Sequence, residues 1–238
     1  VNPQVTLQKF YIMQGLGRSD DAFAEYDKLI ARYPYDLSFR IQKGDLQMKN
    51  GQIDKAKQTY DEAAKIDPDN AYVWVALSNY YSIVGDQKEA DGLVQNALVN
   101  ANLDIQTKID ILTEYLKSTL RKVAKDQNVD SLDISLPGVD SLFMTIEQMH
   151  PTAPEVYDLH ADYLAAINND SLAAVQMRFA CDLRPSETKY WDKLLSYASN
   201  IKDYDKLLRL CDVIESIHPE MSSPYTMRAW VYYNQKEY

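Results

Sequence analysis

The chain has 238 residues, of which 46% are hydrophobic and 25% charged, a composition typical of a globular protein in water. Its formal net charge of −10 argues against nucleic acid and anionic membrane surfaces as partners, because both attract clustered Lys and Arg. No stretch approaches the ~18 consecutive apolar residues of a membrane span, so we expect no insertion into a bilayer.

Five prolines recur at a fixed interval along the chain. Pro34 and Pro68 are 34 residues apart, and Pro151, Pro185 and Pro219 repeat the same spacing. The gap of 83 residues between Pro68 and Pro151 equals two such periods plus 15 residues. A period of this length predicts helix–turn–helix repeats that stack on their neighbours, because one repeat alone cannot bury its apolar face.

The period divides the chain into six full repeats and one partial repeat, which we expect to form a single all-α solenoid over 1–238. The fourth repeat carries the additional residues as an insertion near 124–138. The predicted repeats, in chain order, are 3–36, 37–70, 71–104, 105–153, 154–187, 188–221 and 222–238.

Apolar residues recur at the same positions of the repeats when the periodic proline is numbered 32. Small and large side chains at these positions predict close packing between antiparallel helices. Position 20 holds Ala22, Ala56, Ala90, Val139, Ala173 and Leu207; position 24 holds Tyr26, Tyr60, Val94, Phe143, Met177 and Cys211; position 27 holds Leu29, Ala63, Ala97, Ile146, Ala180 and Ile214. Position 4 is often aromatic, with Trp74, Tyr157, Trp191 and Tyr225.

Position 15 marks the predicted end of each first helix. Gly17, Gly51 and Gly85 occupy it in the first three repeats, and Asn168 occupies it in the fifth. Both residue types tolerate the left-handed backbone conformation that commonly ends a helix. The periodic proline then stops the second helix.

These positions together resemble the tetratricopeptide repeat family. The resemblance covers nearly the whole chain and is closest in repeat two, which has Gly44, Gly51, Ala56, Tyr60, Ala63 and Pro68. Arg40 and Gln47 depart from it, because the family usually has aromatic residues there. The resemblance implies an all-α, right-handed superhelical solenoid of antiparallel helix pairs whose first helices line a concave groove.

The fourth repeat differs from the others in its middle. Its first helix is predicted to run beyond the usual length, because Ile105, Leu112 and Leu120 belong to an extended helical pattern. The polar segment 126–138 ends in Pro-Gly and is predicted to be a mobile loop. It is either a functional edge or a tolerated insertion. It lacks the Gly and Glu of a calcium-binding loop.

No catalytic, metal or cofactor site is predicted. His150 and His218 precede periodic prolines and are expected in exposed turns, too far apart to share a metal ion. His160 lies on a first helix without a second His or Cys at helical spacing. Cys181 and Cys211 are expected to be buried thiols, with a disulfide between stacked helices as the alternative.

The family's groove positions give the candidate binding residues. In that family the first-helix positions 2, 5, 9, 12 and 13 tend to face a ligand. The resemblance therefore implies a peptide-binding groove that includes Asp45, Tyr72, Asn79, Asp158, Asp162, Asp192 and Trp230. Its carboxylates favour a basic partner, unless they only reflect the excess of acidic residues in the chain.

The leading hypothesis is a non-catalytic scaffold that binds a protein or peptide in this groove. The alternative is a structural or oligomerisation module of a larger protein, whose enzymatic or carbohydrate-handling part lies elsewhere. The half repeat 222–238 motivates the alternative, because its helix would have to be covered by further chain or by a second copy. The composition and the missing initial Met favour a bacterial envelope or periplasm over the cytoplasm.

Overall fold

In the computed structural model, residues 2–126 and 138–235 are described, except for the side chains of Thr119 and of residues 121–126. These residues form helices joined by short turns and contain no strand. The all-α architecture of repeated helix pairs predicted from the period is confirmed. The helices group into two compact units, 1–103 and 104–238, which are described one at a time.

The N-terminal unit consists of three antiparallel helix pairs. Within it α1 packs on α2, α3 on α4 and α5 on α6, and the pairs stack through α2 with α3 and α4 with α5. Its helices are α1 Pro3–Gly15, α2 Ser19–Arg32, α3 Leu37–Lys49, α4 Ile53–Ile66, α5 Ala71–Val84 and α6 Gln87–Val99.

The C-terminal unit begins with the longest helix of the described chain. That helix, α7, has 22 residues, whereas the other helices have 11 to 14, so the predicted extension of this first helix is confirmed. The predicted mobile loop lies almost wholly outside the described residues. The helices are α7 Ile105–Asp126, α8 Val139–Met149, α9 Pro154–Ala166, α10 Asp170–Leu183, α11 Thr188–Ile201, α12 Tyr204–Ile217 and α13 Ser223–Gln235.

The positions predicted to form the core do so. Every residue at positions 20, 24 and 27 of the six full repeats is buried, and none is more than 9% exposed. The packing depends on size: a Cβ on Gly44 would overlap the ring of Tyr60, whose Cζ atom would lie 2.7 Å away. Glycine at Gly44 thus allows the first helix to approach the tyrosine of the second.

The predicted left-handed residues at position 15 are also confirmed. Gly17 and Gly51 have φ of +72°, Gly85 has +92° and Asn168 has +60°. Lys202 occupies the same position in repeat six and has φ of +60°, although its side chain does not favour this conformation. The backbone geometry of the turn is therefore kept even where the sequence does not signal it.

In four repeats, the residue at position 4 donates a hydrogen bond to the carbonyl of the preceding periodic proline. This shared bond explains why Arg40 can replace an aromatic residue. The indole nitrogens of Trp74 and Trp191 donate to the carbonyls of the preceding periodic prolines at 2.9 and 2.8 Å. The hydroxyl of Tyr157 donates to the equivalent carbonyl at 3.2 Å, and the Arg40 guanidinium does so at 2.6 Å. Position 4 thus holds a donor that reaches the turn carbonyl, which gives this backbone acceptor a hydrogen-bond partner.

Two other departures from the pattern are accommodated differently. Gln47 is buried and its side-chain carbonyl accepts a hydrogen bond from the Thr59 hydroxyl at 2.8 Å, which satisfies both polar groups. Lys108 holds position 4 in repeat four and is only 1% exposed, with its ammonium 3.9 Å from the sulfur of Met149. Burial lowers the pKa of Lys108.

The cysteines are buried and unpaired thiols, as expected, and the alternative of a disulfide is wrong. Burial raises the pKa of Cys181 to about 12, so its reactive thiolate is strongly disfavoured. The expectation of exposed turns was wrong for His218, which is only 8% exposed and whose ring bonds to Pro185 and Glu220. It was also wrong for His150, which is half-buried. His160 is buried as well, stacked on Phe143 at 4.2 Å with Nδ1 2.6 Å from a Glu147 oxygen.

Candidate peptide-binding surfaces

The N-terminal unit contains a cleft of about 460 Å³ between the beginnings of two first helices, α3 and α5. Its apolar surface comes from the α3 residues Leu37 and Ile41, from Ile66 at the end of α4, and from Tyr72. The complete lining is Tyr35, Asp36, Leu37, Ser38, Ile41, Gln42, Ile66, Asp67, Asn70 and Tyr72. Ile41 and Tyr72 stand at predicted groove positions, and the structure brings them to one site.

Helix capping positions the side chains of this cleft. The Asp36 carboxylate accepts a hydrogen bond from the Ser38 amide at 3.1 Å, so α3 begins at the cleft. The Asn70 side chain caps α5 in the same way, accepting from the amides of Tyr72 and Val73. Tyr72 follows two residues after its cap and remains 50% exposed, so the ring is available to a ligand.

The charge of the cleft is negative. Asp36 and Asp67 both line it, and no Lys or Arg is among the lining residues. Asp67 accepts a hydrogen bond from the side-chain amide of Asn70 at 3.0 Å. Neither carboxylate forms an ion pair within the described residues, and their hydrogen bonds there come from neutral donors.

Two other predicted residues of the N-terminal unit lie outside the cleft. Asp45 accepts a hydrogen bond from the Tyr60 hydroxyl at 2.7 Å and thereby ties α3 to α4. Burial, aided by this carboxylate, raises the pKa of Tyr60. Asn79 is exposed on α5. Asp45 thus has a structural contact of its own, whereas Asn79 is open to a partner.

In the C-terminal unit, the predicted residues Asp158 and Asp162 of α9 both bind Lys193 of α11. The Lys193 ammonium donates to Asp158 Oδ1 and, at 2.8 Å, to both oxygens of Asp162. The Tyr197 hydroxyl also donates to Asp162, at 2.6 Å. Asp158 and Asp162 were predicted to select a basic partner. Both already bind Lys193, which links repeat five to repeat six.

The pKa shifts follow from this partly buried network. Burial holds the pKa of Asp158 above its usual value, although the hydrogen bond from Lys193 acts in the opposite direction. Burial alone would lower the pKa of Lys193, but the bonds to the two carboxylates raise it overall. The network is consequently an ion cluster with a structural role, and a ligand cation would have to compete with Lys193.

Asp192 and Trp230 are both accessible in the C-terminal unit. Asp192 is exposed on α11, next to the buried Trp191. Trp230 on α13 is 42% exposed and packs edge-to-face on Tyr204, with 5.9 Å between ring centroids. Within the described residues, neither is hydrogen-bonded or ion-paired to Asp158 or Asp162.

The sequence analysis missed Asp36, Asp67 and Lys193. Lys193 stands at position 6 of repeat six, and Asp158 and Asp162 stand at positions 5 and 9 of repeat five, so aligning neighbouring repeats could have paired them. Asp36 and Asp67 belong to turns, which lie outside the five groove positions. Their only sequence signal was the proximity of a helix start.

The described parts of the chain show no group of three His, Cys, Asp or Glu residues able to hold a metal ion. Most of the calcium-like stretch 126–138 lies outside them. None of the helices in these parts combines the length and apolar character needed to cross a lipid bilayer.

Comparison with known proteins identifies the repeat. Residues 14–80 match the family model described as tetratricopeptide repeat. No curated protein matches the chain in sequence. Among solved structures, the chain is similar to YrrB, described as a TPR protein with an unusual peptide-binding site, at 17% identity and a TM-score of 0.47, covering 86% of this chain and 97% of that one.

Two further structures are similar at comparable levels. A tetratricopeptide repeat protein from Parabacteroides merdae has 13% identity and a TM-score of 0.45, covering 98% of this chain and 87% of that chain. PilW, described as a widely conserved type IV pilus biogenesis factor, has 10% identity and a TM-score of 0.46, covering 95% and 99% of the two chains.

Proposed function

Since the chain is a tetratricopeptide repeat protein, we propose that it is a scaffold that binds an extended segment of a partner protein in the cleft between α3 and α5. Its fold is typical of protein–protein interaction scaffolds. The observation that carries the proposal is the half-exposed Tyr72 beside the apolar residues Leu37, Ile41 and Ile66 in one cavity.

The dimensions of the cleft suit one or two side chains of a partner. A volume of about 460 Å³ falls within the range of known ligand pockets, from ~300 to ~1,000 Å³. A rigid aromatic ring at the edge of such a cavity is the kind of residue that dominates binding energy at interfaces. Tyr72 is therefore proposed as the anchor, with Ile41 as the floor against which the ligand packs.

The charge of the cleft supports a basic partner. Asp36 and Asp67 accept hydrogen bonds only from neutral groups among the described contacts, and no lysine or arginine lines the cleft, so a cation of the ligand can pair with their negative charges. The preferred segment therefore has Lys or Arg next to an aliphatic or aromatic side chain. Asp158 and Asp162 remain proposed contacts, but only for a ligand that displaces Lys193.

A catalytic role is not proposed for this cleft. Tetratricopeptide repeat proteins are generally non-catalytic scaffolds. Asp36 serves as a helix cap and Asp67 bonds to the Asn70 amide, so the two carboxylates are held by structural bonds. The buried histidines and thiols likewise have packing roles in the core.

The proposal can be tested with a display library of random 12-residue peptides selected on the whole chain. Selected peptides should combine a basic with an apolar residue, and their affinity can be measured by fluorescence anisotropy. Tyr72→Ala should weaken binding at least about tenfold, as expected for an anchor. Tyr11→Ala is the matched control, because Tyr11 is an exposed first-helix tyrosine outside the cleft.

The charge preference has a separate test. Asp36→Asn together with Asp67→Asn removes both charges, and Asn still caps a helix well. This double variant should bind the selected basic peptides more weakly and with a smaller dependence on salt. Selected peptides that bind the Tyr72→Ala and Asp36→Asn/Asp67→Asn proteins as tightly as the wild type would refute the proposed cleft.

A second candidate function is self-association through α13. This helix packs on α11 and α12 and carries several exposed aromatic side chains: Tyr225, Trp230, Tyr232 and Tyr233. Exposed aromatic clusters are typical of interaction surfaces. Light scattering over a range of protein concentrations should show a dimer that Trp230→Ser weakens; a monomer at all concentrations would rule this candidate out.

A further inference from the structure

The outer side of α10 carries a row of exposed apolar residues. Leu172, Val175, Phe179 and Leu183 are 51%, 50%, 50% and 40% exposed. Their spacing of three, four and four residues places them within about 80° of arc on one side of the helix, at ~100° per residue. We call these four residues the outer row of α10.

The opposite side of α10 is already used for packing. Ala173, Met177, Ala180 and Cys181 are fully buried against neighbouring helices. The helix is therefore apolar on two sides, whereas a helix on the surface of a protein normally has one apolar and one polar side. Stacking of the repeats accounts for the buried side only.

The first three repeats provide an internal control, whereas repeat six has apolar residues at two of the four positions, Val213 and Ile217. The outer row occupies positions 19, 22, 26 and 30 of repeat five. The same positions hold Asp21, Ala24, Lys28 and Arg32 in repeat one, Lys55, Gln58, Glu62 and Ile66 in repeat two, and Glu89, Gly92, Asn96 and Asn100 in repeat three. Stacking in this fold thus tolerates polar residues there, and the apolar row of repeat five needs another cause.

A cavity of about 470 Å³ adjoins the outer row, between α10, the end of α11 and the start of α12. Val175 and Phe179 form one side of it, and Leu207 and Leu210 form the other. Such a cavity can accept one large side chain of a partner. The exposed row and the cavity together form a continuous apolar surface.

The charged residues lining this cavity are Arg178, Lys206 and Asp203. The carboxylate of Asp203 is occupied, because it caps α12 and binds the Lys206 ammonium at 2.8 Å. Arg178 binds Asp182 through Nε at 2.9 Å and lies over the Trp191 ring. The lining residues therefore carry two cations and one carboxylate and are net positive, because Asp182, the partner of Arg178, lies outside the lining.

We propose that the outer row and this cavity bind an amphipathic α-helix of a partner protein whose flanking residues are Asp or Glu. A helical partner fits because a row spaced by three and four residues packs into the grooves of another helix. Acidic flanks complement Arg178 and Lys206. A second copy of this chain fits less well, because two-fold packing along α10 would place Arg178, beside the middle of the row, near its own symmetry mate.

The test uses a display library of 16-residue peptides with helix-forming backbones and randomised faces, selected on the whole chain. Selected peptides should carry apolar residues at i, i+3 or i+4, and i+7, with acidic residues beside them. Val175→Gln together with Phe179→Glu introduces the residues that repeat two has at these positions. This double variant should weaken binding of the peptides at least about tenfold. Because the Phe179 ring also packs on Tyr157, the control is a circular dichroism spectrum with the helical content of the wild type.

Further variants separate this surface from the cleft of the N-terminal unit. Tyr72→Ala should leave the affinity of these helical peptides unchanged. Arg178→Gln with Lys206→Gln should reduce both their affinity and its salt dependence. The proposal is overturned if no helical peptide is selected, or if the selected peptides bind the Val175→Gln/Phe179→Glu protein equally well. It is also overturned if light scattering shows a dimer of the chain that this double variant converts to monomer.

Discussion

Single buried residues determine how closely the helices of a repeat approach one another. Ala56 on α4 is fully buried in one cluster with Tyr60, Val73 and Leu77. Interiors of this kind are packed as densely as organic crystals, so a side chain cannot grow without moving its neighbours. The size of a residue at positions 20, 24 and 27 is therefore a stability determinant.

Ala56→Leu is expected to destabilise the protein by roughly 1–3 kcal/mol, because it overpacks this cluster. Urea unfolding followed by circular dichroism measures the change. Ala24→Leu is the matched control, since Ala24 is exposed on the second helix of the preceding repeat. If both substitutions have the same effect, the packing described for position 20 is incorrect.

His218 and His150 are expected to give opposite dependences of stability on pH. The bond to the Pro185 carbonyl at 2.6 Å, and secondarily Glu220, raises the pKa of His218, so its contribution is complete below about pH 6.5 and is lost as pH rises through the folded-state pKa. Burial, and secondarily the charge of Lys108, lowers the pKa of His150, so stability falls as pH drops from neutral.

Thermal unfolding of His218→Gln and His150→Gln between pH 5 and pH 8 tests these signs. The loss of thermal stability caused by His218→Gln should be larger at pH 5 than at pH 8. The stability of the His150→Gln protein relative to the wild type should increase as the pH is lowered. Parallel curves for wild type and both variants would show that neither ring is coupled to folding.

The burial of most residues could be predicted from sequence, because stacking repeats the same environment every 34 residues. The environment of His218 could not, because its ring reaches a proline carbonyl 33 residues earlier in the chain. Gln47 could not be predicted either, since its partner Thr59 lies on the other helix of the repeat. Individual contacts of this kind do not alter the pattern of apolar residues.

At the level of helices and turns, the repeats are held by bonds that the pattern of residue types only partly reveals. Arg40, Trp74, Tyr157 and Trp191 differ in chemistry, yet each donates to the carbonyl of the preceding periodic proline. An aromatic preference at position 4 thus conceals a requirement for a donor of sufficient length. The extra length of α7 was predictable because its apolar spacing continues without a break.

Tyr157→Phe isolates the contribution of this donor, because it removes only the hydroxyl that reaches the Pro151 carbonyl. The expected loss of stability is about 0.5–1.5 kcal/mol, the usual net value of one hydrogen bond. Tyr225→Phe is the matched control, as Tyr225 holds the same position in repeat seven without a bond to a proline carbonyl in the described residues. Equal melting temperatures for wild type and Tyr157→Phe would show that the turn does not depend on the bond.

At the level of the whole molecule, each compact unit offers a surface that stacking does not use. The N-terminal unit has the acidic cleft at Tyr72, and the C-terminal unit has the outer row of α10. Sequence could predict Tyr72 as a candidate binding residue, because the family's groove positions follow the repeat. It could not place Asp36 and Asp67 beside it, since turn conformation decides where those carboxylates lie.

The central claim is that the cleft between α3 and α5 binds a peptide segment of a partner. Hydrogen–deuterium exchange of the whole chain, with and without a 12-residue peptide selected on it, tests this claim most directly. The account predicts slower exchange in residues 35–42 and 66–73 when the peptide is bound, and no such change in the Tyr72→Ala protein. Protection confined to other residues, with 35–42 and 66–73 exchanging as in the free protein, would contradict it.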